Sequence, residues 1–239
     1  MKNSHSKILL KDMELNEKER AIFKSIQTYL KKNRAFQIKK IIPFLQYNSD
    51  RSLNLNSEQI EMILHTLIKK NMIYPGSYLT VDDILKNEKR KEIFDLIKTN
   101  PGVNFSEIKN TFGFGNNYAD WHLRLLERFQ FIRTIKVGNN KVFFNFNLDS
   151  EYDEIRFYLR NEKVKQIITL MENNHTVFRG KEISEKLKIH YDTIKKYVGI
   201  LEKFQVLDSD LDGKTTNYKL NLKNYKTVLD KIGPITLIS

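Results

Sequence analysis

The sequence has no cysteine, only four prolines and nine glycines, and a single tryptophan in 239 residues. Without cysteine there is no disulfide, no thiolate metal site and no cysteine nucleophile, which suits a reducing compartment. So little proline and glycine leaves no room for long low-complexity stretches. No window approaches the roughly 18 consecutive apolar residues of a membrane-spanning helix. The N-terminus, Met1 to Arg20, has no apolar core of signal-peptide length before charge returns.

Catalytic constellations are scarce as well. The five histidines are scattered, with none of the spacings that hold a metal. Gly113-Phe114-Gly115 lacks the Gly-Lys-Ser/Thr that completes a phosphate-binding loop. The acidic runs Glu151-Tyr152-Asp153-Glu154 and Asp208-Ser209-Asp210 fall in a connector and at a turn, where solvation accounts for them. The expectation is a chain that is not an enzyme and that uses no cofactor and no metal.

What is abundant is positive charge. Lys and Arg number 41 against 29 Asp and Glu, a net +12, with a sequence pI near 9.5. Such a field attracts polyanions, so nucleic acid is the first partner to consider; a lysine-rich surface kept for solubility is the plainer alternative.

Apolar periodicity divides the chain into similar pieces. Residues 1–14 read as a basic arm. In 15–86, Ala21, Ile22, Ile26, Tyr29 and Leu30 mark a first helix, capped by Asn16. A second, over 37–46, is interrupted by Pro43, and a third starts at Ser57. Residues 72–80 suggest a stunted hairpin. In 87–148 the pattern predicts helices over 88–99, 105–111 and from Asn116 to about Phe129. Gly113-Phe114-Gly115 makes the turn before the last of them, and strands over 131–137 and 141–147 flank Gly138-Asn139-Asn140. A connector, 149–160, suggests a short helix. The plan then recurs in 161–222, with helices over 161–172, 180–187 and 190–204 and a hairpin turn at Asp212-Gly213. The tail, 223–239, offers an amphipathic turn or two.

A repeat ties these pieces together. Leu125-Leu126-Glu127-Arg128-Phe129-Gln130-Phe131-Ile132 returns as Ile200-Leu201-Glu202-Lys203-Phe204-Gln205-Val206-Leu207, and in outline as Thr66-Leu67-Ile68-Lys69-Lys70-Asn71-Met72-Ile73. Each copy ends a helix on apolar residues, turns a charged pair to water and enters a strand. Self-similarity at a domain-sized period implies tandem modules. The expected fold is mainly α with small β-hairpins (α+β), in three tandem winged helix-turn-helix units.

Asn100-Pro101-Gly102, Phe105-Ser106-Glu107-Ile108, Trp121-His122-Leu123 and Leu126-Glu127 carry a family resemblance. The chain resembles archaeal tandem winged helix-turn-helix proteins of the transcriptional-regulator kind. The likeness covers 87–147 well, 161–220 acceptably and 15–80 in outline. It implies DNA binding and transcription regulation, although the same fold also serves protein assemblies.

In a helix-turn-helix the outward, N-terminal residues of the last helix reach base edges. With Ala119, Leu123 and Leu126 inward, the candidates in the central module are Asn116, Asn117, Tyr118, Trp121 and Arg124. Trp121 suits either packing at the helix shoulder or DNA contact, and His122 reads as a structural imidazole. Asp120 is awkward, since phosphate repels it. In the next module, with Ile194, Val198 and Leu201 inward, the candidates are His190, Tyr191, Thr193, Lys195 and Lys196. The hairpin tips add Lys136, Asn140, Lys141 and Lys214, which would position the backbone without reading sequence.

The first module shows Glu58, Gln59, Glu61 and His65 where a DNA reader needs neutral or basic groups. It is assigned to packing, and it or the C-terminal tail to a possible homodimer. The expected partner is double-stranded DNA, in a cytoplasmic, nucleoid-associated protein. The rivals are a winged-helix protein scaffold, as in subunits of the membrane-remodelling ESCRT-II complex, and general chromatin or RNA association.

Overall fold

The computed structural model describes residues 15–233 apart from 34, 36, 50–52, 175 and 214. The basic arm 1–14, the end of the tail and Lys214 therefore lie outside the described residues. The structure is α-rich with small antiparallel sheets. It divides into two compact units: residues up to Phe94 with Asn116–Phe131, and Asp95–Gly115 with the residues from Ile132 onward.

The first unit is built on α1 (Glu17–Leu30), α2 (Ile38–Asn48) and α3 (Ser57–Lys69). Ile22, Phe23 and Ile26 of α1, Ile41 and Leu45 of α2, and Ile60, Leu64 and Leu67 of α3 form its apolar interior. The start of α1 is set by a reciprocal capping box. The Asn16 side-chain oxygen accepts from the Glu19 amide, and the Glu19 carboxylate accepts from the Asn16 amide, both at 2.9 Å. Lys70 donates to the same Glu19 oxygen at 2.9 Å, tying the end of α3 to the start of α1. Asn56 and Gln59 repeat the box at α3. Pro43 sits inside α2, which continues past it. The expected stunted hairpin is reduced to one bridge, Ile73 to Thr80. A one-turn helix unforeseen in the sequence, α4 (Val81–Ile84), follows it. The unit is completed by the first part of α5 (Glu88–Thr99) and by a helix, here α7 (Asn116–Arg128). Phe94 and Phe131 meet edge to face at 5.5 Å.

In the second unit, β1 (Val103–Asn104) leads into α6 (Phe105–Phe112), and β2 (Ile132–Val137) pairs with β3 (Asn140–Asn145). The strand order is β1-β3-β2. The two-residue β1 was not anticipated; it pairs Val103 with Phe143. Gly102 takes a φ of +92°, and a Cβ there would meet the Arg160 and Phe144 side chains at ordinary contact distances of 3.4 and 3.5 Å. It is the backbone angle that calls for glycine here. Phe143 and Phe144 are fully buried, each contributing about 2–3 kcal/mol of burial.

The rest of the unit follows the same order. A 3-10 turn and α8 (Asp153–Leu159) precede α9 (Glu162–Asn174), β4 (Phe178–Arg179), α10 (Gly180–Leu187) and α11 (Tyr191–Lys203). The hairpin β5 (Leu207–Asp212) and β6 (Thr215–Leu220) makes a second sheet, in the order β4-β6-β5. One apolar core runs from Val142 and Phe144 through Ile155, Leu159 and Ile167 to Leu201 and Val228. Arg133 anchors its edge with Nε and Nη2 donating to Asp153 at 2.9 and 2.7 Å. The tail is more ordered than the expected turn or two: α12 (Leu222–Ile232) is an eleven-residue helix that buries Val228 and Ile232 and is capped by the Asn221 side chain.

The sequence repeat has a backbone counterpart. The Leu126, Leu201 and Leu67 carbonyls accept from the amides of Phe131, Val206 and Met72 at 2.9, 2.8 and 2.9 Å. In each case the residue just before that amide (Gln130, Gln205 and Asn71) is left-handed, at φ of 56°, 55° and 54°. This is a Schellman-type helix ending made three times, twice with glutamine in place of the usual glycine.

Candidate nucleic-acid interface

The helix pairs α6–α7 and α10–α11 are each joined by three residues, 113–115 and 188–190. The first helix of each pair stops in the same way. Gly113 and Lys188 are left-handed, and the Phe114 and Ile189 amides bond back to the Lys109 and Ser184 carbonyls at 3.0 and 3.1 Å. A glycine serves at one site and a strained lysine at the other.

On α7, Ala119, His122, Leu123, Leu125 and Leu126 are buried, while Asn116, Asn117, Tyr118, Trp121 and Arg124 are exposed. Asn116 is the first residue of the helix, as the spacing predicts. Asp120 and Arg124 form an ion pair one turn apart at 2.5 Å. That pairing neutralises the carboxylate that phosphate would repel and also occupies part of the arginine. Trp121 has the Arg90 guanidinium 5.2 Å from its ring centroid. The His122 imidazole stands edge-on to both Tyr118 and Trp121. Its burial, and then the nearby Arg90 charge, hold its pKa down to about 4, so it is neutral at physiological pH.

On α11, His190 caps the helix, its Nδ1 accepting from the Asp192 amide at 3.3 Å. Tyr191, Lys195 and Lys196 are exposed and Thr193 is half-buried. The Lys196 ammonium lies 5.7 Å from the Tyr197 ring. Neither lysine makes an ion pair among the described residues, unlike Lys203, which holds Glu154 at 2.5 Å. Two adjacent, unneutralised ammonium groups on an exposed helix face attract phosphate strongly.

The two hairpins differ in charge. Lys136 and Lys141 are directly opposite in the β2–β3 register, and Asn139 and Asn140 beside them are exposed. Like charges facing each other across strands are unfavourable, and Lys141 also carries its ammonium 5.3 Å from the Phe143 ring centroid. On β5 the charge is reversed: Asp208, Asp210 and Asp212 alternate on one face and are all exposed. Arg179 reaches Asp212 at 3.4 Å. The hairpin carrying Lys214 is thus locally acidic along one strand, which the sequence reading underweighted. In the first unit Glu58, Glu61 and His65 are exposed on α3, with His65 3.9 Å from Glu61.

Arg90 was missed as a neighbour of α7. Its inward position was legible, since it precedes Ile93 and Phe94 by one turn on the inner face of α5, but its neighbour was not.

No family model matches the chain. Over 143 residues, 60% of this chain, it is 27% identical to a protein of Methanocaldococcus jannaschii named as an uncharacterized HTH-type transcriptional regulator. The match spans 36% of that relative's length. The similarity supports a kinship with helix-turn-helix regulator-like proteins. Among the described residues, no helix is long and apolar enough to cross a membrane.

Proposed function

We propose that the chain is a transcriptional regulator that binds double-stranded DNA through tandem winged helix-turn-helix units. In this reading α7 and α11 are recognition helices, and the hairpins β2–β3 and β5–β6 are the wings. The observation that carries it is the exposed Lys195–Lys196 pair on α11, unneutralised among the described residues and placed just after a three-residue turn. Support comes also from the net charge of +12 and from the helix-turn-helix regulator relative. α11 and the Lys136–Lys141 hairpin supply phosphate contacts, while Asn116, Asn117 and Tyr118 on α7 face base edges. The 15–86 module, with its acidic α3, serves packing or self-association, and the protein works on the nucleoid in the cytoplasm. A mobility-shift assay with duplex fragments of the source genome tests the reading; absence of any shifted complex at low salt defeats it.

A second reading, a winged-helix scaffold for protein partners, is favoured by the acidic face of β5 and by the Asp120–Arg124 pair. Both features reduce attraction to phosphate where a wing and a recognition helix would need it.

A further inference from the structure

The first unit presents exposed aromatic rings around buried positive charge. Tyr118 and Trp121 are 46% and 44% exposed and, three residues apart on α7, share one side of the helix. Behind Trp121 lies Arg90, only 3% exposed. Tyr78, more than half exposed, lies near the same guanidinium, as does Tyr118. Further along that side of α7, Arg128 sits 4.4 Å from the Tyr74 ring centroid.

Arg90 donates from Nη1 to the Ile84 carbonyl at 3.0 Å, while its buried Nε has no hydrogen-bond partner. The neighbouring cations Lys89 and Arg124 are paired with Glu92 and Asp120. Arg90 and Arg128 have no carboxylate partner among the described residues; they rest on rings instead. Partly exposed aromatic rings beside cations that have no carboxylate partner match the chemistry of a nucleobase and its phosphate. A duplex hides its base faces in the stack, so the complementary ligand is one whose bases are unpaired.

We infer that this strip, Tyr74, Tyr78, Tyr118 and Trp121 with Arg90 and Arg128, stacks the unpaired bases of single-stranded DNA. The inference rests on the DNA-binding reading for its choice of polymer and goes beyond it in strandedness. The phosphates of the strand meet the exposed Arg128, and the bases lie on the exposed rings, with the buried Arg90 backing Trp121.

Trp121 is the sole tryptophan, so its emission reports on the strip directly. The full chain is titrated with oligo(dT), with oligo(U) and with a duplex of equal length, following emission and mobility shift in parallel. The expected result is saturable quenching by oligo(dT), deeper than by duplex and at lower concentration than with oligo(U). The double variant Tyr74→Ala/Tyr78→Ala should lose at least about thirtyfold in oligo(dT) affinity and keep its duplex affinity and a cooperative thermal unfolding transition. Unchanged emission with oligo(dT), wild-type oligo(dT) affinity in the double variant, or preference for oligo(U) would overturn the inference. So would capture by an acidic protein partner that oligo(dT) fails to displace. A chain that shifts duplex but does not respond to oligo(dT) sinks this inference alone. One that binds oligo(dT) and no duplex upholds it and defeats the duplex reading.

Discussion

Asp120 and Arg124 lie one turn apart on the exposed side of α7, carboxylate to guanidinium at 2.5 Å. A carboxylate in that position competes with a phosphate backbone for the arginine that would otherwise grip it. Asp120→Asn removes the competing carboxylate and frees Arg124. Duplex affinity should rise, and the slope of log affinity against log salt should steepen by about 0.9. Unchanged affinity and slope, read by fluorescence anisotropy on a labelled duplex, would take α7 out of the interface.

Lys195 and Lys196 face solvent on α11. Replacing both with Glu should weaken binding to every duplex sequence alike, because phosphate contacts carry no sequence information. The magnitude expected is at least tenfold at moderate salt, with a slope shallower by about 2. A loss confined to one sequence would instead make these lysines base readers.

The three Schellman-type endings make a stability prediction. Gln130 and Gln205 hold left-handed backbone, which costs a side-chain-bearing residue about 1–2 kcal/mol, partly offset in glycine by its greater unfolded-state entropy. Gln130→Gly and Gln205→Gly should each stabilise the fold by about 0.5–1 kcal/mol, and Asn71→Gly by less, since asparagine tolerates this region. Thermal unfolding of the three variants gives the comparison, and a fall in midpoint for the glutamine sites would rule out strain there.

These endings also mark how far the sequence could be read. The helix Glu88–Thr99, the start at Ser57 and the Asn16 cap follow from apolar spacing and cap chemistry, and the structure has them where expected. The glutamine turns did not announce themselves, because a left-handed helix end is normally signalled by glycine. β1 is too short for a periodic signal; it exists because β3 offers an edge to pair with. Inward and outward faces of α7 and α11 follow from i, i+4, i+7 spacing, but the contents of the outward face do not. Asp120–Arg124 has helix-pair spacing and was readable. Arg90 behind Trp121 joins two helices distant in sequence, and only the fold brings them together.

Arg133 and Asp153 make a nearly buried, two-pronged ion pair, with Arg156 also donating to Asp153 at 3.3 Å. Arg133→Ala leaves Asp153 with one partner in a desolvated site. A loss of about 3 kcal/mol is expected, read as a lower urea midpoint with unchanged slope. A change under about 0.5 kcal/mol would show that the pair is replaceable by water.

His122 sets a pH dependence. Its folded pKa, about 4, lies below the ordinary imidazole value of 6.5. As pH falls, the unfolded chain therefore takes up this proton first. Stability attributable to His122 is intact above about pH 6.5 and is lost progressively toward pH 4, by roughly 3 kcal/mol in all. Between about pH 7 and 4.5, wild type should lose about 2.5 kcal/mol more than His122→Gln. Equal losses in urea unfolding would place the titration elsewhere.

The central claim is that α11 and the Lys136–Lys141 hairpin bind duplex DNA by neutralising phosphate. A salt-titrated mobility shift with duplex fragments measures this most directly. If about six phosphates are neutralised, log affinity falls against log salt with a slope near −5. Binding that barely responds to salt, or no duplex binding at low salt, would contradict it.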